Sequence, residues 1–116
     1  MIVEDEFLIR LTLAEALADE GFQIIEAATG DEALETLRGN PGISLLLTDI
    51  QLPGRLDGVA LARAARQHLP RIRVIFMTGR PDSLTRGNTS PGDVFIAKPY
   101  LPSEVCATAR RLLGAG

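Results

Sequence analysis

Tryptophan is absent from this 116-residue chain, and one tyrosine and four phenylalanines are its only phenyl-bearing residues. Only 4% of the chain is aromatic. A single cysteine, Cys106, excludes an internal disulfide and a multi-cysteine zinc site. It falls in a helical pattern and is expected to be a buried structural thiol. The single histidine, His68, has no acid or nucleophile near it in sequence. It is expected to stand exposed near a helix end, where the helix dipole favours it. Positive charge is not in excess: the net charge is −3, which argues against non-specific nucleic-acid binding. No apolar run approaches the roughly 20 residues of a membrane span. The start, Met1-Ile2-Val3-Glu4-Asp5-Glu6, turns acidic at once, unlike a signal peptide. A soluble cytoplasmic protein is expected. Lysine is the last scarcity. Lys98 stands alone against eleven arginines. A GC-rich genome would favour arginine codons and leave one lysine by chance. A compact ammonium at a strand end also suits a phosphate or carboxylate that comes and goes.

What is present is 46% apolar and 23% charged residues, enough for one packed domain over residues 1–116. Strand and helix patterns alternate. Met1 to Val3 is a very short apolar start, and Glu6 to Glu20 reads as a helix through Phe7, Arg10, Leu13, Ala14 and Leu17, stopped by Gly21. Phe22 to Ala27 reads as a strand. Thr29-Gly30-Asp31 opens a helix to Arg38, with Thr29 or Asp31 as its cap. Ile43 to Thr48 is almost wholly apolar, the mark of a strand buried on both faces of a parallel sheet. Asp57 to Leu69 is a helix capped by Asp57. Ile72 to Thr78 and Val94 to Ala97 are further strands, and Ser103 to Leu113 is a last helix, with Arg110-Arg111 as a solvated end. Between Gly79 and Asp93, glycines and prolines allow at most a short helical turn near Pro81 to Arg86. The pattern predicts an α/β fold: a flavodoxin-like open parallel five-stranded sheet of order 2-1-3-4-5, with helices on both faces and a fourth helix that is short or absent.

Chemistry collects at the strand ends. The first strand ends in Glu4-Asp5, the third in Asp49, the fourth in Thr78 and the fifth in Lys98-Pro99. In the order 2-1-3-4-5 these strands are contiguous, so the residues share the carboxyl edge where open α/β sheets bind ligands. Three clustered carboxylates repel one another and call for protonation or a cation. Oxygen ligands without His or Cys favour a hard ion such as Mg²⁺. A metal, a hydroxyl and an ammonium around Asp49 make a phosphoryl-transfer site with a carboxylate nucleophile. Simple capping of the loop by Asp49 is the bland alternative.

With Glu4-Asp5, Asp49 followed by Leu52-Pro53 and Asp57-Gly58, Thr78-Gly79 and Lys98-Pro99 in order, the chain resembles the receiver domain of bacterial two-component response regulators from end to end. The resemblance implies that Asp49 is the phosphoacceptor, taking phosphoryl from a histidine kinase or histidine phosphotransfer protein. It implies Mg²⁺ (or Mn²⁺) held by Glu4, Asp5, Asp49 and the backbone carbonyl of Gln51. Thr78 and Lys98 would hold phosphoryl oxygens, Thr78 and Phe95 would form the switch, and the Lys98–Pro99 peptide would be cis. Output would run through contact with a downstream protein, without direct nucleic-acid or membrane binding, from a monomer or weak dimer. The chain would not be an enzyme beyond assisting its own phosphorylation and dephosphorylation. Gln51 stands where a true aspartyl phosphatase needs a second acid, and no phosphate loop of flavin-binding type follows the first strand.

Three departures stand out. The first strand has only three residues before the acids, so residues were lost upstream or the central strand is weak. The loop Pro53-Gly54-Arg55-Leu56-Asp57-Gly58 is one residue longer than the commonest form, which should leave the metal site intact and bear on kinase docking. The fourth helix is poor, which puts the usual output face in doubt. The short strand and poor helix motivate an alternative, a receiver-shaped adaptor used without phosphorylation. A stand-alone regulator and a receiver excised from a hybrid kinase or longer regulator both fit.

Overall fold

The computed structural model describes residues 1–79 and 90–114. Five strands, β1 (Ile2–Val3), β2 (Glu26–Ala27), β3 (Leu45–Asp49), β4 (Arg73–Thr78) and β5 (Val94–Ala97), form one sheet of order β2-β1-β3-β4-β5. All neighbours are parallel. Four helices are described: α1 (Phe7–Asp19), α2 (Gly30–Arg38), α3 (Gly58–His68) and α4 (Pro102–Leu112). The flavodoxin-like arrangement is the one that the strand–helix alternation predicts. The expected short turn at Pro81 to Arg86, and with it the question of a helix between β4 and β5, lies outside the described residues.

The period-two alternation of strand side chains divides the core into two layers. Val3, Leu46, Val74 and Phe76 pack with Ala33 and Leu37 of α2 and Val59, Leu61, Ala62 and Ala65 of α3. Ile2, Leu45, Leu47, Ile75, Met77 and Ile96 pack on the other face with Leu13, Ala14 and Leu17 of α1 and Val105, Cys106 and Ala109 of α4. Every residue of β3 is buried, as its unbroken apolar run requires of a strand covered on both faces. Cys106 is a buried member of the second layer, and burial pushes its thiol pKa up. His68 is exposed. Thr29 caps α2, its hydroxyl accepting from Glu32 N at 3.1 Å, and Asp57 caps α3, its carboxylate accepting from Ala60 N at 2.8 Å.

Phe7, at helical spacing with Leu13, Ala14 and Leu17, is 59% exposed, with the Arg10 guanidinium 5.5 Å from its ring centre. The buried stripe of α1 is confined to Leu13, Ala14 and Leu17. The second strand is two residues long, not six. Among the described residues it pairs with β1, Ile2 with Glu26 and Val3 with Ala27. Phe22 and Ile24 lie outside this ladder but pack on the α1–α4 layer. A cavity of about 640 Å³ lies there, lined by Met1, Phe22, Ile24, Ile43 and Leu45 among others.

The Met1 amine sits at this cavity and donates to Leu45 O at 2.8 Å. Burial lowers its pKa from 8.0 to about 6.

Candidate functional site

Parallel register brings the strand ends together. Val3 lies opposite Thr48, Asp49 opposite Met77, and Thr78 opposite Ala97. The residues that follow each strand are delivered to one rim, and Asp5, Glu6, Asp49, Gln51, Thr78, Gly79 and Lys98 line a cavity of about 420 Å³ there. Glu4 and Asp49 are buried, and Asp5 is exposed. Carboxylate oxygens of these three acids all lie within 4.8 Å of one another.

The cation side of the rim is Lys98. Its Nζ donates to Asp49 Oδ2 at 2.5 Å and stands 3.7 Å from Glu4 Oε1. Burial works against the ammonium, but the hydrogen bond to Asp49 and the charges of Asp49 and Glu4 outweigh it, and the lysine pKa is raised. The Lys98–Pro99 peptide is cis. The Lys98 backbone N–H donates to Thr78 O at 2.8 Å, so the lysine and the threonine are tied across adjacent strand ends. Thr78 itself is 5% exposed.

Glu4 is the strained member in electrostatic terms. Burial pushes its carboxyl pKa up, opposed by the hydrogen bond that Glu6 N–H donates to Oε2 at 3.0 Å. Its other oxygen, Oε1, is buried and accepts no hydrogen bond among the described residues. Three carboxylates face one ammonium, and one buried lone-pair atom lacks a donor. A hard divalent cation satisfies both deficits, because Mg²⁺ takes carboxylate and carbonyl oxygens and keeps several waters. The donor set therefore fits such an ion. Asp49 Oδ1 accepts from Gln51 N at 3.2 Å, and Gln51 lines the cavity.

Phe95 is half-buried and stacks on Phe76, with ring centres 5.2 Å apart and planes at 25°. It sits on the α2–α3 side of the sheet.

Three neighbours escaped the motif reading. Glu6 lines the cavity as a further acid. Tyr100 lies close enough for burial, then the charges of Glu4 and Asp49, to push its phenol up to about 12. Arg10 donates to the Glu4 backbone carbonyl at 2.8 Å and to the Glu26 carboxylate at 3.1 Å. A charged donor on a largely buried carbonyl should matter. Arg10→Ala is expected to lower stability by about 1–3 kcal/mol, read as a shift in denaturant midpoint without a change in slope. The signal for Arg10 was its position: it shares the inner face of α1 with Leu13, Ala14 and Leu17, where an unpaired guanidinium would not be stable.

Comparison with known proteins agrees with this geometry. Residues 1–110 match the family described as response regulator receiver domain. The aerobic respiration control protein ArcA of Escherichia coli K12 is 36% identical over 115 residues, covering 97% of this chain and 47% of that protein. The chain thus spans about half the length of that relative. The solved response regulator receiver protein of Sinorhizobium medicae superposes with a TM-score of 0.90 at 26% identity, covering 98% of this chain and 92% of that one. The solved receiver domain of the hybrid histidine kinase CckA has a TM-score of 0.83 at 33% identity, covering 97% and 95%.

Proposed function

The chain belongs to the response regulator receiver domain family, and from that membership we propose that it is a phosphoacceptor whose acceptor is Asp49. The observation that carries this reading is the rim itself: a buried carboxylate bonded to an ammonium, with two further carboxylates beside it. One Asp49 oxygen attacks the phosphorus of a phosphohistidine on a histidine kinase or phosphotransfer protein. The P–N bond breaks, its electrons return to the imidazole, and an acyl phosphate forms on Asp49. Hydrolysis reverses the state: water attacks phosphorus and releases inorganic phosphate and the carboxylate.

Glu4, Asp5, Asp49 and the Gln51 carbonyl would hold Mg²⁺ or Mn²⁺. Such an ion, when bound, neutralises charge on the phosphoryl oxygens. Lys98 gives up its bond to Asp49 and takes a phosphoryl oxygen. Thr78, tied to Lys98 through the backbone, donates its hydroxyl to another, and Phe95 follows the movement of that strand end. The protein acts by contact with a downstream partner in the cytoplasm, with no turnover of a separate substrate. Among the described residues no helix is long and apolar enough to cross a membrane.

The test is intact mass after incubation with a small acyl phosphate, with Mg²⁺ and with a chelator. A single phosphoryl adduct that forms with Mg²⁺ and is suppressed by the chelator is expected. No adduct with Mg²⁺ present contradicts the proposal.

A further inference from the structure

The loop between Asp49 and α3 carries the Gln51 carbonyl and needs something to hold it. Its two ends are fixed on themselves: Gly58 N donates to Ile50 O at 2.7 Å, and Asp57 caps α3. Its middle rests on another element. A Cβ placed on Gly30, the first residue of α2, would lie 2.7 Å from both the Cβ and the carbonyl oxygen of Leu56. Leu56 therefore occupies the space that any side chain at position 30 would take. Two residues away, Gly54 adopts φ +91°, and a Cβ there would meet the Asp31 carboxylate at 3.3 Å. The loop touches the start of α2 twice.

The start of α2 is in turn tied to the acids. Ala27 pairs with Val3, and Glu4 N donates to Ala27 O at 3.1 Å. The segment 27–30 thus holds the Glu4 backbone at one end and the Leu56 loop at the other. It spans the two halves of the oxygen-donor set, Glu4 and Asp5 from β1 and Gln51 from the loop.

We propose that Gly30 is a positioning residue for the cation site: its bare Cα seats Leu56, and that seat sets the distance between the Gln51 carbonyl and the β1 acids. The inference rests on the cation-dependent phosphoacceptor reading above. A methyl group at position 30 pushes the loop outward, because the atoms it meets include a backbone carbonyl that cannot rotate away. Removing the Leu56 side chain frees the loop from the opposite direction.

The experiment is Mg²⁺ titration by calorimetry on wild type, Gly30→Ala, Leu56→Gly and a control, Gly42→Ala, where a Cβ meets nothing within 4 Å. Phosphorylation by a small acyl phosphate is measured against Mg²⁺ in parallel. Gly30→Ala and Leu56→Gly should each weaken Mg²⁺ binding by about 10-fold, the scale seen when outer partners of metal ligands are lost. Half-maximal phosphorylation should shift to higher Mg²⁺ by the same factor, with the saturating rate near wild type. A merely structural defect would lower the saturating rate and would not be relieved by more Mg²⁺. Wild-type affinity in a folded Gly30→Ala overturns the inference alone. If that variant does not fold, wild-type affinity in Leu56→Gly overturns it. Absence of Mg²⁺ binding by the wild type overturns the phosphoacceptor reading as well.

Discussion

Gly58→Ala is expected to melt roughly 10 °C or more below wild type, the scale of a loss of at least about 3 kcal/mol in a domain of this size. Gly58 is the first residue of α3 and packs against the end of β3. A Cβ there would stand 2.1 Å from Asp49 O and 2.9 Å from both Asp49 C and the Ile50 Cα. All three are backbone atoms, two at the last residue of β3 and one just after it, so no side-chain rotation relieves the overlap. The helix must shift, and the bond from Gly58 N to Ile50 O goes with it. The displaced strand end is the one that bears Asp49, so phosphorylation should fall together with the melting temperature. Thermal melts of wild type, Gly58→Ala and Gly42→Ala measure this. A Gly58→Ala melt within a few degrees of wild type would show that the helix start has room to move.

Lys98→Ala carries the second large effect, and it falls on rate. The ammonium faces the two buried carboxylates Asp49 and Glu4. In the proposed reaction it stabilises charge that develops on the transferring phosphoryl group. Removing one such preorganised donor costs about 10²–10³ in rate. The fold should survive, because the side chain is 31% exposed and water screens what remains. Mg²⁺ affinity should be at least that of wild type, since a cation that competes for Asp49 has gone. The phosphorylated variant should also move Thr78 and Phe95 less than wild type, because one of the two donors to the phosphoryl oxygens has gone. Mg²⁺ titration, phosphorylation kinetics and the NMR shifts of Thr78 and Phe95 separate these three effects. A variant phosphorylated at the wild-type rate, with the full shift changes, would mean that the lysine is a structural counter-ion only.

The parts of this molecule that could be read from sequence share a physical cause. Ile43 to Thr48 announces itself because a central parallel strand is buried on both faces, and Asp49 is conspicuous as the first charge after it. Thr78 and Lys98 follow from the same logic at β4 and β5. Gly58 was visible beside Asp57 as a helix start, though its contact with the Asp49 carbonyl was not. Periodicity fails where pairing or tertiary contacts decide. Phe22 to Ala27 has the composition of a strand, but its ladder pairs are Glu26 with Ile2 and Ala27 with Val3, while Phe22 and Ile24 pack as core side chains. Phe7 keeps helical spacing with the core residues yet is largely exposed, with the Arg10 guanidinium over its ring. Arg10 bonds across β1 and β2, and Gly30 meets Leu56 across 26 positions of chain. Neither contact has a local signature, because each depends on which loops the sheet order brings together.

The account turns on one covalent bond, an acyl phosphate on Asp49. Borohydride reduces an aspartyl phosphate to homoserine, and peptide sequencing by mass spectrometry locates the change. After incubation with a small acyl phosphate and Mg²⁺, conversion should appear at position 49 and vanish in Asp49→Asn. Phosphate found elsewhere, or undiminished in Asp49→Asn, would contradict the account.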